Sequence, residues 1–242
     1  MIKLIKVCKS FNGQKVLDNL NLEIEAEKVT VIIGQSGGGK SVLIKNIIAL
    51  IKPDTGQIFV DGVDITTLKE KSLNETRKKF GMLFQEAALF DSMTVGENVA
   101  FPLKEHTRMH PDEIADVVNE KLVQVGLTNV TQKMPSELSG GMRKRVGLAR
   151  ALALDPKIIL FDEPTTGLDP IMCDAIDNLI LETQQRTRAT CVVISHDIES
   201  TFKIAHKIAM LYKGKIIESG TPSEMRASAN PMLKRFIEGK SG

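Results

Sequence analysis

A glycine-rich segment at positions 34–41 limits more strongly than any other part of the chain what this sequence can fold into. It reads Gly-Gln-Ser-Gly-Gly-Gly-Lys-Ser, which fits the phosphate-loop pattern of Gly, four free positions, Gly-Lys and Ser or Thr. The β-type run Val29–Ile33 precedes it and the helix-type run Val42–Leu50 follows it. A strand, a Gly-rich turn and a helix in this order predict a loop whose backbone N–H groups form an anion-binding nest at the helix N-terminus.

The end of this loop carries its predicted chemistry. Lys40 is expected to reach the β- and γ-phosphates of a nucleotide, and the Ser41 hydroxyl is expected to bind Mg²⁺. The alternative is a Gly-rich surface turn before an ordinary N-cap serine, which would not need the flanking strand and helix. The predicted nucleotide-binding residues of the segment are Gly34, Gln35, Ser36, Gly37, Gly38, Gly39, Lys40, Ser41 and Val42.

Length and charge narrow the class of protein. The 242 residues suffice for one large domain with an inserted subdomain, so we assign 1–242 to a single domain. Lysines and arginines number 32 against 30 acids, and this near-neutral balance does not favour a nucleic-acid partner. The cysteines Cys8, Cys173 and Cys191 are odd in number and far apart, which indicates no disulfide framework or metal site; Cys191 is expected in the core.

The sequence has no segment that predicts membrane insertion. The N-terminus alternates polar and apolar residues, unlike a signal peptide, and no apolar run approaches the roughly 20 residues that span a bilayer. A role at a membrane would require another chain to supply the spanning part.

β-type patterns stand on both sides of the glycine-rich loop, and an Asp61-Gly62 hairpin signal lies between two of them. We expect these strands to build one small antiparallel sheet. They are predicted at Ile2–Val7, Lys15–Leu17, Leu20–Ile24, Gln57–Val60 and Val63–Ile65.

The remaining pattern predicts an α/β fold. Apolar residues at helical spacing from 86 to 154 indicate an inserted helical subdomain, and alternation of strands and helices returns at Ile158. Continuous apolar strands such as Cys191–Ile194 are typical of a parallel sheet covered on both faces. The predicted fold is therefore a P-loop NTPase core whose parallel sheet is flanked by helices, with an antiparallel β subdomain, a helical insertion and a C-terminal tail at 222–242.

A pair of acids follows the apolar strand Ile158–Phe161. Strand ends of this kind meet at the carboxyl edge of an open α/β sheet, where ligands bind. Asp162 is expected in the Mg²⁺ shell, and Glu163 is expected to accept a proton from, or to orient, the water that attacks the γ-phosphate. The alternative is a solvated Asp-Glu pair.

A second candidate anion site lies at Leu138-Ser139-Gly140-Gly141-Met142. Its two glycines precede the helix-type run Arg143–Leu154, so backbone N–H groups and the Ser139 hydroxyl are available to an anion, although a plain N-cap turn would look similar. Four cations of that run, most simply on a solvated helix face, are Arg143, Lys144, Arg145 and Arg150.

The order of these motifs resembles the nucleotide-binding subunit of ATP-binding-cassette (ABC) transporters over nearly the whole chain. Gln85, Gly167-Leu168-Asp169 and Ser195-His196-Asp197 stand at the matching places. The resemblance implies an ATPase that uses ATP and Mg²⁺. It also implies a head-to-tail dimer, in which each ATP lies between the phosphate loop of one copy and the segment 138–142, the signature segment, of the other.

The same resemblance implies roles for single residues. Phe11 would stack on adenine, Asp169 would act across the dimer, and His196 would contact the γ-phosphate; the alternatives are a core Phe11 and a structural His196. Gln85 would sense Mg²⁺ and the γ-phosphate. The implied catalytic residues are Glu163, His196, Gln85 and Lys40, those acting across the dimer are Ser139, Gly140, Gly141 and Asp169, and the metal ligands are Ser41, Gln85 and Asp162.

Longer stretches resemble one subfamily, the ATPases of Mla-type phospholipid transport systems of Gram-negative bacteria. Met142 stands where most ABC proteins have glutamine, and this subfamily usually carries methionine there. The resemblance implies a peripheral protein on the cytoplasmic face of the inner membrane, with a permease and a periplasmic lipid-binding subunit as partners. The stretches that carry it are Met82–Gln85, Ala88–Phe90, Asn98–Thr107 and Met134–Met142.

Several alternatives remain open at the level of sequence. The apolar patch Ala87–Phe90 either receives a permease helix or packs into its own subdomain. The cargo can differ from phospholipid, or the protein can be a regulatory or mechanical ATPase that moves nothing. A DNA-repair or translation ATPase ranks low because it would need a long coiled coil before the signature segment, where only 52 residues, 86–137, intervene.

Overall fold

The structure, a computed structural model, describes residues 1–239. The chain packs into two compact units. One consists of Met1–Arg77 and the chain from Thr190 onward, and the other of Lys78–Ala189.

Strands and helices follow the predicted alternation. The strands are β1 (Ile2–Phe11), β2 (Gln14–Ile24), β3 (Val29–Ile33), β4 (Thr55–Val60), β5 (Val63–Asp64), β6 (Phe80–Leu83), β7 (Ile158–Asp162), β8 (Thr190–Ile194), β9 (Lys207–Tyr212) and β10 (Lys215–Gly220). The α-helices are α1 (Lys40–Ile47), α2 (Glu70–Arg77), α3 (Val95–His106), α4 (Pro111–Gln124), α5 (Gly140–Leu152), α6 (Pro170–Thr187), α7 (Ile198–Ile204), α8 (Pro222–Ala227) and α9 (Pro231–Ile237).

In the first unit, β2, β1, β4 and β5 form an antiparallel sheet in that order. Ile2 pairs with Ile24 on one side and with Val60 on the other, so strands from both sides of the glycine-rich loop share one sheet, as predicted. One detail differs, because Lys15–Leu17 and Leu20–Ile24 belong to a single strand, β2. A register shift between β1 and β2 lies between Leu17 and Leu20, where the two predicted strands join.

The second sheet of this unit holds β10, β9, β3 and β8 in that order. β3 pairs parallel with β8 and with β9, and β3 and β8 are buried throughout, which explains their continuous apolar sequence. Cys191 lies fully buried in β8, as expected, and this burial raises the pKa of its thiol to about 12. The parallel arrangement brings the carboxyl ends of β3 and β8 to one edge.

In the second unit, β6 and β7 pair parallel, with Phe80 opposite Ile158, and α5 packs against β6, α3 and α4. The predicted helical subdomain, 86–154, lies within this unit, and its exact limits stay a prediction. Helix α4 ends at Gln124, and Gly126 just after it adopts a φ of +73°.

The predicted tail begins with α8 and α9. Leu233 is fully buried, whereas Phe236 and Ile237 are half-buried. Residues 240–242 of the predicted tail lie outside the described residues.

Candidate functional site

The glycine-rich loop leaves the carboxyl end of β3 and enters α1 at Lys40. Gly34 has a φ of +154°, and a Cβ there would collide with the carbonyl oxygen of Leu211 in β9. Only glycine therefore lets the loop start so close to the sheet.

Lys40 points back into this loop and is only 4% exposed. Its Nζ donates to the carbonyl oxygens of Gly34, at 2.8 Å, and Gln35, at 3.0 Å. Gly39 is the N-cap of α1 and supplies no side-chain cap to the first helical N–H groups. An ammonium beside N–H groups without a side-chain cap is an arrangement that binds phosphate.

The residues after β8 lie beside the start of this loop. The Ser195 backbone N–H donates to the carbonyl oxygen of Ile32 at 3.2 Å, which places the residue before His196 next to the end of β3. His196 is exposed. Asp197 caps α7 by accepting from the Ser200 N–H at 3.1 Å, so the segment after β8 is fixed on both sides of His196.

Phe11 closes β1 in the same unit. Its side chain is 43% exposed, so it is not a core residue, and the Lys9 ammonium lies 5.4 Å from its ring centroid. An exposed aromatic ring suits stacking on a base.

In the second unit, β7 delivers the acid pair. Every residue of β7 is buried and Asp162, its last, is 8% exposed. Glu163 follows with a φ of +49°, which is unusual for a residue other than glycine. The Thr166 hydroxyl donates to Glu163 Oε2 at 3.1 Å and orients that carboxylate.

The signature segment of this unit starts α5, as predicted. Ser139 is exposed and is the N-cap, and its Oγ accepts from the Met142 backbone N–H at 3.3 Å. Asp169 is likewise the N-cap of α6, and its Oδ1 accepts from the Met172 N–H at 3.0 Å. Both side chains thus lie at helix starts where an anion is favoured.

Gln85 is exposed just after β6, and the apolar patch Ala87–Phe90 follows it. Part of the patch packs into its own subdomain, because Ala87 is only 1% exposed. Phe90 is 41% exposed, which leaves it accessible to a partner, and its ring lies 4.9 Å from that of Phe101. Arg150 donates to the carbonyl oxygens of Ala87 and Ala88, at 2.7 Å each.

The expectation of a solvated basic face on α5 is wrong for most of its members. Lys144 is 6% exposed, Arg145 donates to the carbonyl oxygen of Val125 at 2.7 Å, and burial lowers the pKa of Arg150. Their partners lie far away in sequence, so no local pattern could have revealed them.

The predicted site residues therefore fall into two sets, one in each unit. Phe11, the phosphate loop and His196 belong to the first, while Gln85, the signature segment, the acid pair and Asp169 belong to the second. The predicted Mg²⁺ ligands are a hydroxyl, an amide and a carboxylate, the oxygen donors that this ion takes. Within residues 1–239 no group of three or more His, Cys, Asp or Glu residues could hold a metal by itself.

No helix in the described part of the chain is long and apolar enough to cross a bilayer.

Comparison with known proteins gives consistent matches. The family model described as ABC transporter matches residues 17–166. The intermembrane phospholipid transport system ATP-binding protein MlaF of Haemophilus influenzae is 44% identical over 95% of this chain and 87% of that protein. The probable ribonucleotide transport ATP-binding protein mkl of Mycobacterium leprae is 41% identical over 99% of this chain and 69% of that protein.

Solved structures match as well. A dimeric ATP-binding cassette in a post-hydrolysis state with ADP and phosphate has a TM-score of 0.85 at 33% identity, covering 92% of this chain and 99% of that chain. The cbiO1 protein of Clostridium perfringens, part of the ABC transporter complex cbiONQ, has a TM-score of 0.86 at 30% identity, covering 97% and 93%.

Proposed function

The chain belongs to the ABC transporter family as an ATP-binding, ATP-hydrolysing subunit, and on that premise we propose that it powers phospholipid transport between the inner and outer membranes. The observation that carries this cargo is the 44% identity to a phospholipid transport ATPase over 87% of that protein's length. Ribonucleotide is the second candidate cargo, favoured by the 41% identity to mkl.

The proposed hydrolysis divides the chemistry between the two units. Lys40 and the loop N–H groups hold the β- and γ-phosphates, Phe11 stacks on adenine, and His196 contacts the γ-phosphate. Glu163 accepts the proton of the attacking water, a step typically worth about 10²–10⁴-fold in rate. Mg²⁺, when held by Ser41, Asp162 and Gln85, supplies charge neutralisation at the phosphate oxygens.

The proposed assembly is a head-to-tail dimer of this chain. The phosphate loop and the signature segment are each a helix start suited to an anion, so one copy offers two nucleotide-binding surfaces. Ser139, Gly140, Gly141 and Asp169 would act on the nucleotide of the other copy. A dimeric cassette with ADP and phosphate among the similar structures supports this arrangement.

The proposed location is the cytoplasmic face of the inner membrane, where a permease supplies the spanning helices and a periplasmic lipid-binding subunit completes the system. The exposed part of the patch, Ala88 and Phe90, is available to a permease helix, while Ala87 belongs to the core. Arg150 fixes the backbone of this patch to α5, which connects a permease contact to the helix of the signature segment.

The test is gentle extraction of the tagged chain from its native membranes, followed by mass spectrometry of the proteins and small molecules that accompany it. We expect a permease, a lipid-binding subunit and enriched phospholipid, compared with an untagged control strain. ATP hydrolysis by the extracted complex should then rise with phospholipid and not with ribonucleotides. The reverse response would favour the ribonucleotide cargo, and a permease without any cargo would favour a regulatory ATPase.

A further inference from the structure

Lys144, in the second turn of α5, is a buried cation whose partners lie in the turn 163–166, called the catalytic turn below because it begins at Glu163. It is 6% exposed. Its Nζ donates to the carbonyl oxygen of Thr166 at 3.0 Å and to that of Glu163 at 3.4 Å. Because α5 begins at Gly140, this one side chain ties the helix of the signature segment to the turn that starts at Glu163.

Hydrogen bonds hold that turn. Glu163 has a φ of +49°, a left-handed conformation that is uncommon for residues other than glycine. The Thr166 N–H donates to the Glu163 carbonyl oxygen at 3.3 Å, and its hydroxyl donates to Glu163 Oε2 at 3.1 Å. Lys144 binds the carbonyl oxygens of both residues, so it reinforces the contacts that aim the carboxylate.

The start of α5 is fixed against the same region. A Cβ at Gly141 would collide with the methyl group of Met172, and one at Gly140 would lie 3.7 Å from the Leu168 side chain. The helix therefore begins in close contact with the residues that follow the catalytic turn. Lys144 extends from a backbone whose place relative to Glu163 is set by this packing.

Charge at this position is costly, which argues against a role in packing alone. Burial lowers the pKa of Lys144, while the charges of Glu86, Cys173 and Glu163 oppose that shift. An apolar side chain of similar volume would avoid the cost of desolvating an ammonium. The ammonium does what an apolar chain cannot, since it donates to two backbone oxygens of the turn.

We propose that Lys144 is a positioning residue for ATP hydrolysis, which holds the Glu163 turn so that the carboxylate faces the attacking water and which couples that turn to the signature helix. The inference rests on the proposed role of Glu163 as proton acceptor. A displacement of the signature helix is then passed through Lys144 to the catalytic carboxylate of the same chain.

The test measures kcat, KM for ATP and thermal stability for the full-length chain and its variants. Lys144→Met is expected to lower kcat about 10-fold or more with KM unchanged, because a displacement of about 1 Å at a reacting group can cost about 100-fold. Lys144→Arg keeps the donors and should recover most of the rate. The matched control is Lys121→Met, which removes an equally buried ammonium that pairs with Asp155 at 2.7 Å and Glu120 at 3.2 Å in the same unit. It should lower stability and leave kcat unchanged.

A double-mutant cycle separates this inference from the function on which it rests. In a Glu163→Gln background, Lys144→Met should change the residual rate little, because its effect passes through the missing carboxylate. If the rate losses of Lys144→Met and Glu163→Gln multiply in the double variant, the inference about Lys144 is wrong. It is also wrong if Lys144→Met has a normal kcat while Glu163→Gln is inactive, and in both cases the role of Glu163 still stands. A fully active Glu163→Gln would overturn the assigned role of Glu163 as well. If Lys144→Met does not fold, Lys144→Leu, which also lacks a donor, is measured in its place against the same outcomes.

Discussion

At the scale of single residues, the buried ammonium of Lys40 gives the most direct test of nucleotide binding. Its hydrogen bonds to the carbonyl oxygens of Gly34 and Gln35 hold it inside the loop, where the proposed phosphate contact would need it. Lys40→Ala should lower ATP affinity roughly 10- to 100-fold, since a hydrogen bond to a charged group is worth about 1.5–3 kcal/mol. Titration with a fluorescent ATP analogue measures this. Lys45→Ala, on the same helix, is the control, and unchanged affinity in Lys40→Ala would contradict the phosphate-loop assignment.

The ionisation of Asp54 gives a pH-dependent test of the contacts at the end of strand β1, which closes with Phe11. The Lys9 ammonium, at 2.7 Å, and the Ser10 N–H, at 2.6 Å, hold the pKa of Asp54 below its usual value. Because the folded pKa is depressed, the stabilisation is present above the unfolded pKa and is lost as the pH falls through the folded one. An NMR titration should show this low pKa, and Lys9→Met should raise it. Lys3→Met, on the same strand, should leave it in place; an equal rise there would point to net charge instead of the local contacts.

The sequence predicted the placement of residues that belong to a motif with local spacing, while their roles stay predictions. The phosphate loop and the strand-end acids were predictable because their neighbours in sequence, β3, α1 and β7, also position them. Lys144 was not predictable in the same way. Its partners lie 19 and 22 residues along the chain, and the cations on either side of it gave the pattern of a solvated face.

At the scale of elements, the loop that leads into α3 is organised by one buried side chain. Asn98 is fully buried, and the two N–H groups of its Nδ2 are shared among the carbonyl oxygens of Phe90, Met93 and Thr94, while its Oδ1 accepts from the Phe90 N–H at 2.8 Å. This one amide therefore shapes the segment that presents Phe90.

Asn98→Ala should loosen that segment, because each buried group left without its partner costs about 1–3 kcal/mol. Faster hydrogen exchange in a peptide that covers residues 88–98 would show it, as local opening becomes more frequent. The matched control is Asn178→Ala, which removes only an exposed hydrogen bond to Asp174. Equal protection in wild type and Asn98→Ala would mean that other contacts hold the loop.

Strands and helices with a strong period were predictable, whereas irregular pairing was not. The sequence pattern predicted two strands, Lys15–Leu17 and Leu20–Ile24, yet Asn19 takes a φ of +47° inside one continuous strand. Asparagine tolerates this conformation, and the shift in register against β1 accommodates it. Whether such a segment forms two strands or one strand with a register shift depends on its pairing with β1. The sequence of the segment by itself does not contain that information.

At the scale of the whole molecule, fold and reaction follow from the motifs, but cargo does not. Relatives named for phospholipid and for ribonucleotide transport share 44% and 41% identity with this chain. A subunit that binds and hydrolyses ATP contacts the nucleotide and its own partners, so its nucleotide site is not expected to distinguish one cargo from another. The exposed surface around Phe90 is where a difference in partner is expected to be encoded.

The proposed dimer gives the prediction that depends on the entire chain. Glu163→Gln should retain ATP binding and lose most turnover, about 100-fold or more, because the carboxylate proposed to receive the proton is replaced by a neutral amide. Bound ATP then persists between phosphate loop and signature segment, and the dimer that it bridges should accumulate. Light scattering behind size-exclusion chromatography should show twice the mass of one chain with ATP and the monomer mass without it. Adding Lys40→Ala to Glu163→Gln should abolish the shift, since nucleotide binding is lost. A Glu163→Gln chain that binds ATP and remains monomeric would contradict the head-to-tail arrangement while leaving the phosphate loop intact, because the two variants separate binding from assembly.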